Sequence, residues 1–279
     1  MEIEPITPHL GARIRGFDLR DLSNGRAEQL SDMFYEYRVL AFRDQKLDRD
    51  AHKSVGRVFG QLHVHPSKKT FEMKGDPEIF KVHARADTVK VNGGRWHMDV
   101  SCEENPPAGS ILRLLKLPPH GGDTVFCDMT RAFETLSAPI QRMLFELEAC
   151  HDGERDLRWY GLTPNPNQTY PSWTHPVVVA HPMTGKPVLF VNEGFTEEIA
   201  DMSYDESRSI LDMLFSHIAR APGLQCRVTW EPGTVVMWDN RAVQHFAVHD
   251  YAPHERLGER VTIVGQGPPI AWKPDLLGI

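Results

Sequence analysis

Cysteine is scarce: there are four in 279 residues, and none forms a CxxC pair. Such spacing excludes a disulfide frame and fits reduced thiols in the cytoplasm. No run of about 18 or more apolar residues occurs, so no membrane-spanning helix is expected. The opening stretch, MEIEPITPHLG, is acidic and broken by proline, unlike a secretory signal. Positive charge is the minority sign, with 31 Lys+Arg against 38 Asp+Glu and a net charge of −7. With no basic stripe to offset that balance, a nucleic-acid partner is not expected. Internal repeats, low-complexity tracts and linkers are also missing, and residues 1–279 read as one domain.

What is present is enough apolar material for a packed core, at 41% of the chain. Helical spacing marks Ala27 to Tyr37, Asp50 to Phe59, a segment entered through Ser137-Ala-Pro139, and one opened by the capping box Ser203-x-x-Glu206. Strand patterns are more numerous. They cover Arg38–Phe42, Ile79–His83, Ser110–Leu117, Asp123–Cys127, Val177–His181, Val188–Asn192, Cys226–Trp230, Thr234–Trp238 and Arg260–Val264. Many short strands with few helices predict a mainly β fold with helices (α+β), of double-sheet jelly-roll type. Residues 151–175 show no periodicity. A loop of that length inside a compact domain suggests an active-site lid.

Histidine is the unusual count, at 14. In Trp96-His97-Met98-Asp99-Val100 a strand would turn His97 and Asp99 to one face and Met98 to the other. An imidazole and a carboxylate side by side offer two metal ligands. His245, in the segment VVMWDNRAVQH, is the best third. Two histidines and a carboxylate form the facial triad of non-haem iron oxygenases, which leaves coordination positions open. His63-Val-His65 is a rival pair. The same three ligands would also serve a zinc hydrolase, and a non-catalytic jelly-roll binding protein is a further alternative. Thr124, after Gly121-Gly122-Asp123, offers a hydroxyl at a strand start. Arg256 and Arg260 precede a strand and suit an anion. A turn after His245 would bring Arg256 back near the metal. Surface pairing of Arg256 and Arg260 with Glu255 and Glu259, and of Arg260 with Asp250, is the competing reading.

Five segments in this order, WHMDV, NPPAGSILRLLKLPPHGGDT, HPVVVAHPMTGKPVLFVNEGF, VVMWDNRAVQHFAVHDY and ERLGERVTIVG, resemble the TauD/TfdA family of Fe(II)- and 2-oxoglutarate-dependent dioxygenases. The likeness runs from about Gly11 to Gly265. It implies a double-stranded β-helix (jelly-roll) core, Fe(II), 2-oxoglutarate as co-substrate, and O2. It implies iron ligation by His97, Asp99 and His245, and 2-oxoglutarate binding by Thr124 and Arg256. Arg260 and His65 match positions that hold the substrate's anionic group, and Phe195 an aromatic of that pocket. Lys68, Asn92 and Cys102 also fall at substrate positions, where the sequence departs from the taurine-oxidising members. Lys68 replaces a tyrosine, Gly93 an asparagine with Asn92 adjacent, and Cys102 a phenylalanine, which suggests a roomier pocket. The expected substrate is a small or medium anion: a sulfonate, alkyl sulfate, aryloxyalkanoate or phosphonate. Oxidation or desaturation of an amino-acid-derived or natural-product substrate is the alternative. The resemblance also suggests a homo-oligomer, dimer or tetramer.

Overall fold

The computed structural model describes residues 1–66 and 75–273. Its largest sheet has seven strands, in the spatial order β1 (Glu2–Pro5), β2 (Ala12–Arg15), β3 (Val39–Phe42), β13 (Val235–Asp239), β5 (Gly109–Lys116), β15 (Arg256–Ile263) and β4 (Phe80–Ala84). Among the described residues, only β2 and β3 pair in parallel. A three-stranded sheet of β12 (Gln225–Val228), β6 (Thr124–Asp128) and β14 (Val243–Ala247) faces it. Two smaller sheets complete the strands: β11 (Thr196–Ile199), β7 (Glu148–Asp152) and β8 (Ser172–Pro176), and the pair β9 (Val178–Ala180) and β10 (Pro187–Leu189). The fold is mainly β with helices around a jelly-roll core.

Alternation along each strand divides the core into layers. On β3, Val39 and Ala41 point between the two facing sheets, while Leu40 and Phe42 point outward. On β13, Val236 and Trp238 point inward and Val235 and Met237 outward. Phe126 and Val243 meet them from the smaller sheet. The outer face of the large sheet is covered by helix α1 (Arg26–Tyr37), through Leu30, Met33 and Phe34, and by α2 (Arg49–Arg57), through Val55. The other outer layer takes α3 (Met129–Glu134), α4 (Ala138–Leu144) and α6 (Tyr204–Arg220), which bury Ala132, Phe133, Leu144, Leu211, Leu214 and Ile218. The capping box at Ser203 and Glu206 is formed as expected.

Three local expectations change. Residues 151–175 are not a structureless loop: they hold the end of β7, helix α5 (Gly153–Trp159) and most of β8. The Asp152 carboxylate starts α5 by accepting from the Glu154 amide at 2.9 Å. Two helical turns are too short for a readable period, and β8 is mostly exposed, so neither alternates. Strand β15 begins at Arg256 and not at Arg260, which puts both arginines on one strand. The chain after His245 does not fold back as a hairpin either. β14 lies in the small sheet and β15 in the large one, so the connection crosses between the facing sheets.

The end of β13 is fastened by a buried ion cluster. Asp239 accepts two hydrogen bonds from the Arg241 guanidinium, at 2.8 and 2.8 Å, one from the Arg241 amide at 3.0 Å, and one from His181 at 3.1 Å. Burial opposes ionisation of Asp239, but the Arg241 guanidinium and His181 outweigh it and hold its pKa below the usual carboxylate range. A depressed folded pKa gives stability that is present above the unfolded value, about 3.9, and is lost as pH falls through the folded one. Asp239→Ala should therefore cost about 3–5 kcal/mol at pH 7, as for other broken buried pairs. In urea melts that gap should shrink below about pH 4, by about 1.4 kcal/mol per pH unit.

Candidate active site

His97 and His245 are brought together by the backbone. They form an isolated antiparallel bridge, with His97 N donating to His245 O at 3.2 Å and His245 N to His97 O at 2.9 Å. Their rings lie 4.0 Å apart, centroid to centroid. The HxD segment is thus one bridge followed by a turn, not the regular strand that alternation suggests. The outcome for the side chains is nevertheless as expected: Met98 is buried in the outer helical layer, while Asp99 turns to the imidazoles. Asp99 Oδ1 lies 3.7 Å from His97 Nε2 and 3.8 Å from His245 Nε2. One ligand atom from each of the three residues falls within 4.8 Å of the others.

The turn is held by Asn240. Its side chain accepts from the Asp99 amide at 2.7 Å and donates to the carbonyls of Asp99 and Pro107, at 3.0 and 2.9 Å. This clamp sustains Val100 at a φ of 47°, a left-handed conformation that β-branched residues rarely adopt. Ser110 on β5 donates to Asp99 Oδ2 at 2.8 Å, and Arg260 Nη1 donates to Oδ1. Burial opposes the charge on Asp99, but Arg260 and the two imidazoles outweigh it, and the carboxyl titrates well below its usual range. Burial pushes both imidazoles the other way, toward the neutral form that ligates metal. His97 Nδ1 is 2.8 Å from the Arg95 carbonyl, so the proton sits there and the Nε2 lone pair is left for a metal. Neutral nitrogens and a charged oxygen at this separation fit a ferrous ion.

The triad opens into a cavity of about 270 Å³, at the small end for ligand sites. Thr124 and Arg256 line it. Thr124 begins β6, with its hydroxyl accepting from Trp230 Nε1 at 3.1 Å. Arg256 begins β15 and is 4% exposed. Its Nε donates to the Gly122 carbonyl at 3.1 Å, Trp230 lies under its guanidinium, and its buried Nη2 has no hydrogen-bond partner. Arg260 stands on the same face of β15, against the Phe80 ring. The surface pairing considered for these arginines does not occur. Glu259 is held by Arg49 and Arg113, Glu255 by His83 and Lys116, and Asp250 accepts from the Gly122 amide.

His65, Asn92 and Phe195 also line the cavity. Lys68 lies outside the described residues. Cys102 does not reach the cavity: it is buried with Val100 and packs behind Phe195. Gly93 does face the cavity, but its missing side chain makes room for a protein ring. A Cβ there would lie 3.0 Å from His97 Cε1. The two small residues therefore do not widen a substrate pocket. The rival pair is divided, since His63 points away to Glu103 at 2.8 Å.

The segment read as a lid does line the cavity, but sequence reasoning named none of its residues. Asp156, Leu157, Trp159, Tyr160 and Leu162, on or just after α5, face the triad. The only signal was an acid followed by an aromatic pair in an otherwise patternless segment. Burial raises the Asp156 pKa to about 6, against the opposing pull of Arg95. Asn240 and Ser110 were also missed, because holding a ligand in place leaves no spacing pattern.

Gly194 supports the triad from another side. Its amide donates to the Trp96 carbonyl at 3.1 Å, and an added Cβ would lie 2.7 Å from His97 Cβ. Neither atom is the end of a flexible chain, so Gly194→Ala must displace His97. It should weaken divalent-metal binding about 10–100-fold, read by Co(II) titration of the purified protein, with little change in far-UV circular dichroism.

The family model described as "Taurine catabolism dioxygenase TauD, TfdA family" matches residues 2–262. An alpha-ketoglutarate-dependent sulfonate dioxygenase of Saccharomyces cerevisiae is 34% identical, over 96% of this chain and 68% of its own. An alpha-ketoglutarate-dependent sulfate ester dioxygenase of Pseudomonas putida is 30% identical, over 96% of this chain and 91% of its own. Among solved structures, AAD-2 in complex with Mn(II) and N-oxalylglycine superposes with a TM-score of 0.83 at 25% identity, covering 96% of this chain and 99% of that one. Neither a zinc hydrolase nor a non-catalytic binding protein accounts for this kinship. The chain belongs to the TauD/TfdA family and is a non-haem iron dioxygenase that uses Fe(II), 2-oxoglutarate and O2.

Proposed function

We propose that His97, Asp99 and His245 hold the iron, that Thr124 and Arg256 hold the distal carboxylate of 2-oxoglutarate, and that Arg260 with His65, Asn92 and Phe195 binds a small or medium organic anion. The substrate class is a sulfonate, alkyl sulfate, aryloxyalkanoate or phosphonate. One observation carries the reading. Two buried arginines, Arg256 and Arg260, face the same cavity as the triad, and Arg256 has a buried nitrogen with no partner. A buried cation with an unmet donor is costly unless an anion meets it. The relatives named above, which act on a sulfonate and a sulfate ester, agree with such a substrate.

Bound iron with 2-oxoglutarate and O2 supplies oxidation of a substrate C–H bond, with release of succinate and CO2. The protein's own part is placement and charge. Fixed on one strand face, Arg256 and Arg260 separate the co-substrate end of the cavity from the substrate end. Because Arg260 also touches a ligand carboxylate, an anion bound to it lies next to the metal site. Phe80 and Phe195 supply apolar walls that keep water from the reacting carbon. Residues 153–162 serve as a lid. Helix α5 has no buried residue and is tied down by Lys90 and Arg95 over the Trp159 ring and by the Gly93 amide on the Tyr160 hydroxyl at 3.2 Å. The reading extends to a cytoplasmic enzyme, in accord with four free cysteines, and to a dimer or tetramer.

Arg256→Ala should raise the half-saturating 2-oxoglutarate concentration about 100-fold or more, measured by succinate formation. Arg260→Ala should raise KM about tenfold or more for every anion turned over in a panel of sulfonates, alkyl sulfates, aryloxyalkanoates and phosphonates. An unchanged KM in a folded Arg260→Ala protein would overturn the substrate assignment.

A further inference from the structure

The substrate end of the cavity is not uniformly cationic. Among the described residues, its lining carries Arg95, Arg256, Arg260 and Lys81 on one side of the charge balance and Asp99 and Asp156 on the other. Lys81 is exposed and screened by water. Asp156 differs from Asp99 in having no hydrogen bond to its carboxylate from any described residue. The charges of Arg95, Asp99 and Arg260 all act on it across the cavity. Arg95 is stacked over the Trp159 ring at 4.9 Å, so its guanidinium is shared with an aromatic face and offsets Asp156 from a distance.

Charges in the loaded site can then be paired. Ferrous iron and Asp99 leave one positive charge, the 2-oxoglutarate dianion makes it one negative, and Arg256 returns it to neutral. Arg95 and Asp156 offset each other. Arg260 is left with room for a single negative charge from the substrate. A second would remain uncompensated in a partly dehydrated cavity and would face the carboxylate of Asp156.

We propose that Asp156 is a charge-selecting residue, which restricts the substrate to monoanions and rejects dianions. This rests on the Arg260 reading above and narrows it. Sulfonates, sulfate esters and carboxylates carry one charge and are accepted. A phosphonate or phosphate monoester, doubly ionised in mildly alkaline solution, is refused although its head group has the same tetrahedral shape. Rejection by an unfavourable charge is a common device where attractive contacts alone do not separate two ligands.

The test is a matched series at pH 9.5, where Asp156 is ionised and the alkylphosphonate is almost wholly dianionic: butanesulfonate, butylphosphonate and butylphosphonate monomethyl ester. Binding is measured calorimetrically, without turnover, to protein loaded with Mn(II) and N-oxalylglycine. Wild type should bind the sulfonate and the monoester at least tenfold more tightly than the dianionic phosphonate. Asp156→Asn should tighten the phosphonate about tenfold while changing the two monoanions less than threefold, and Asp156→Glu should keep the wild-type order. Equal binding of monoanion and dianion by wild type would overturn the proposal, as would a uniform shift of all three ligands in Asp156→Asn. If none of the three binds wild type, or if Arg260→Ala leaves their affinities unchanged, the substrate reading fails first and this inference falls with it.

Discussion

The structure depends on keeping one carboxylate ionised where water cannot reach it. Asp99 is 3% exposed, a position that by itself favours the neutral acid. It stays charged because Ser110, Arg260 and two imidazoles face it, and each is supplied by a different part of the chain. Those parts meet only if β5, β15 and β14 take their registers and the His97 bridge closes on β14. The ligand set is therefore a consequence of sheet pairing. A one-residue slip in β14 would turn His245 away from Asp99 and put Gln244, now buried on the opposite face against the Val191 carbonyl, in its place.

The same pairing explains why Arg256 and Arg260, the two arginines that line the cavity beside the triad, both sit on β15. Strand alternation turns Arg256 and Arg260 inward and Glu259 outward, to Arg49 and Arg113. The sequence ERLGER thus keeps its acid and its bases apart although they are neighbours in the chain. Gly258 between the arginines is required by contact. A Cβ there would lie 2.8 Å from Leu114 and 3.0 Å from the Arg113 carbonyl, against the adjoining strand β5.

Legibility from sequence followed the physics of each element. Helices α1 and α6 and the strands β3, β4, β5, β6, β12 and β13 of the facing sheets could be read, because one buried face imposes a period on the residues. The grouping of His97, Asp99 and His245 was readable too, since imidazoles and a carboxylate in such a pattern are the residue types a metal site would draw together. The origin of β15 was not, because Arg256 and Arg260 are buried by charge and so break the apolar pattern that marks a strand. β1, β2, β7, β8, β11 and β14 also escaped, because each is only four or five residues long, too short to establish a period. Cys102 was assigned to the pocket by alignment of residue positions, whereas the left-handed turn at Val100 carries the chain away behind Phe195.

The two sides of the cavity are held by different means. Thr124, His245, Arg256 and Arg260 stand on strands paired on both flanks or backed by the inter-sheet core, and such positions change only if the fold changes. Asp156, Trp159 and Tyr160 stand on or beside a seven-residue helix with no fully buried side chain, fastened by polar contacts: cations over the Trp159 ring, Arg155 donating to the Glu193 carbonyl at 3.0 Å and to Glu197 at 3.1 Å, Arg158 to Glu197 at 3.3 Å, and the Gly93 amide to the Tyr160 hydroxyl. Substitutions on that helix cost little stability, because no core packing is lost. On the proposed roles, the metal and co-substrate contacts rest on the packed strands, and the α5 wall is where a change of lining residue disturbs the fold least. The wall least constrained by packing is also the one with the weakest sequence pattern, and for the same reason.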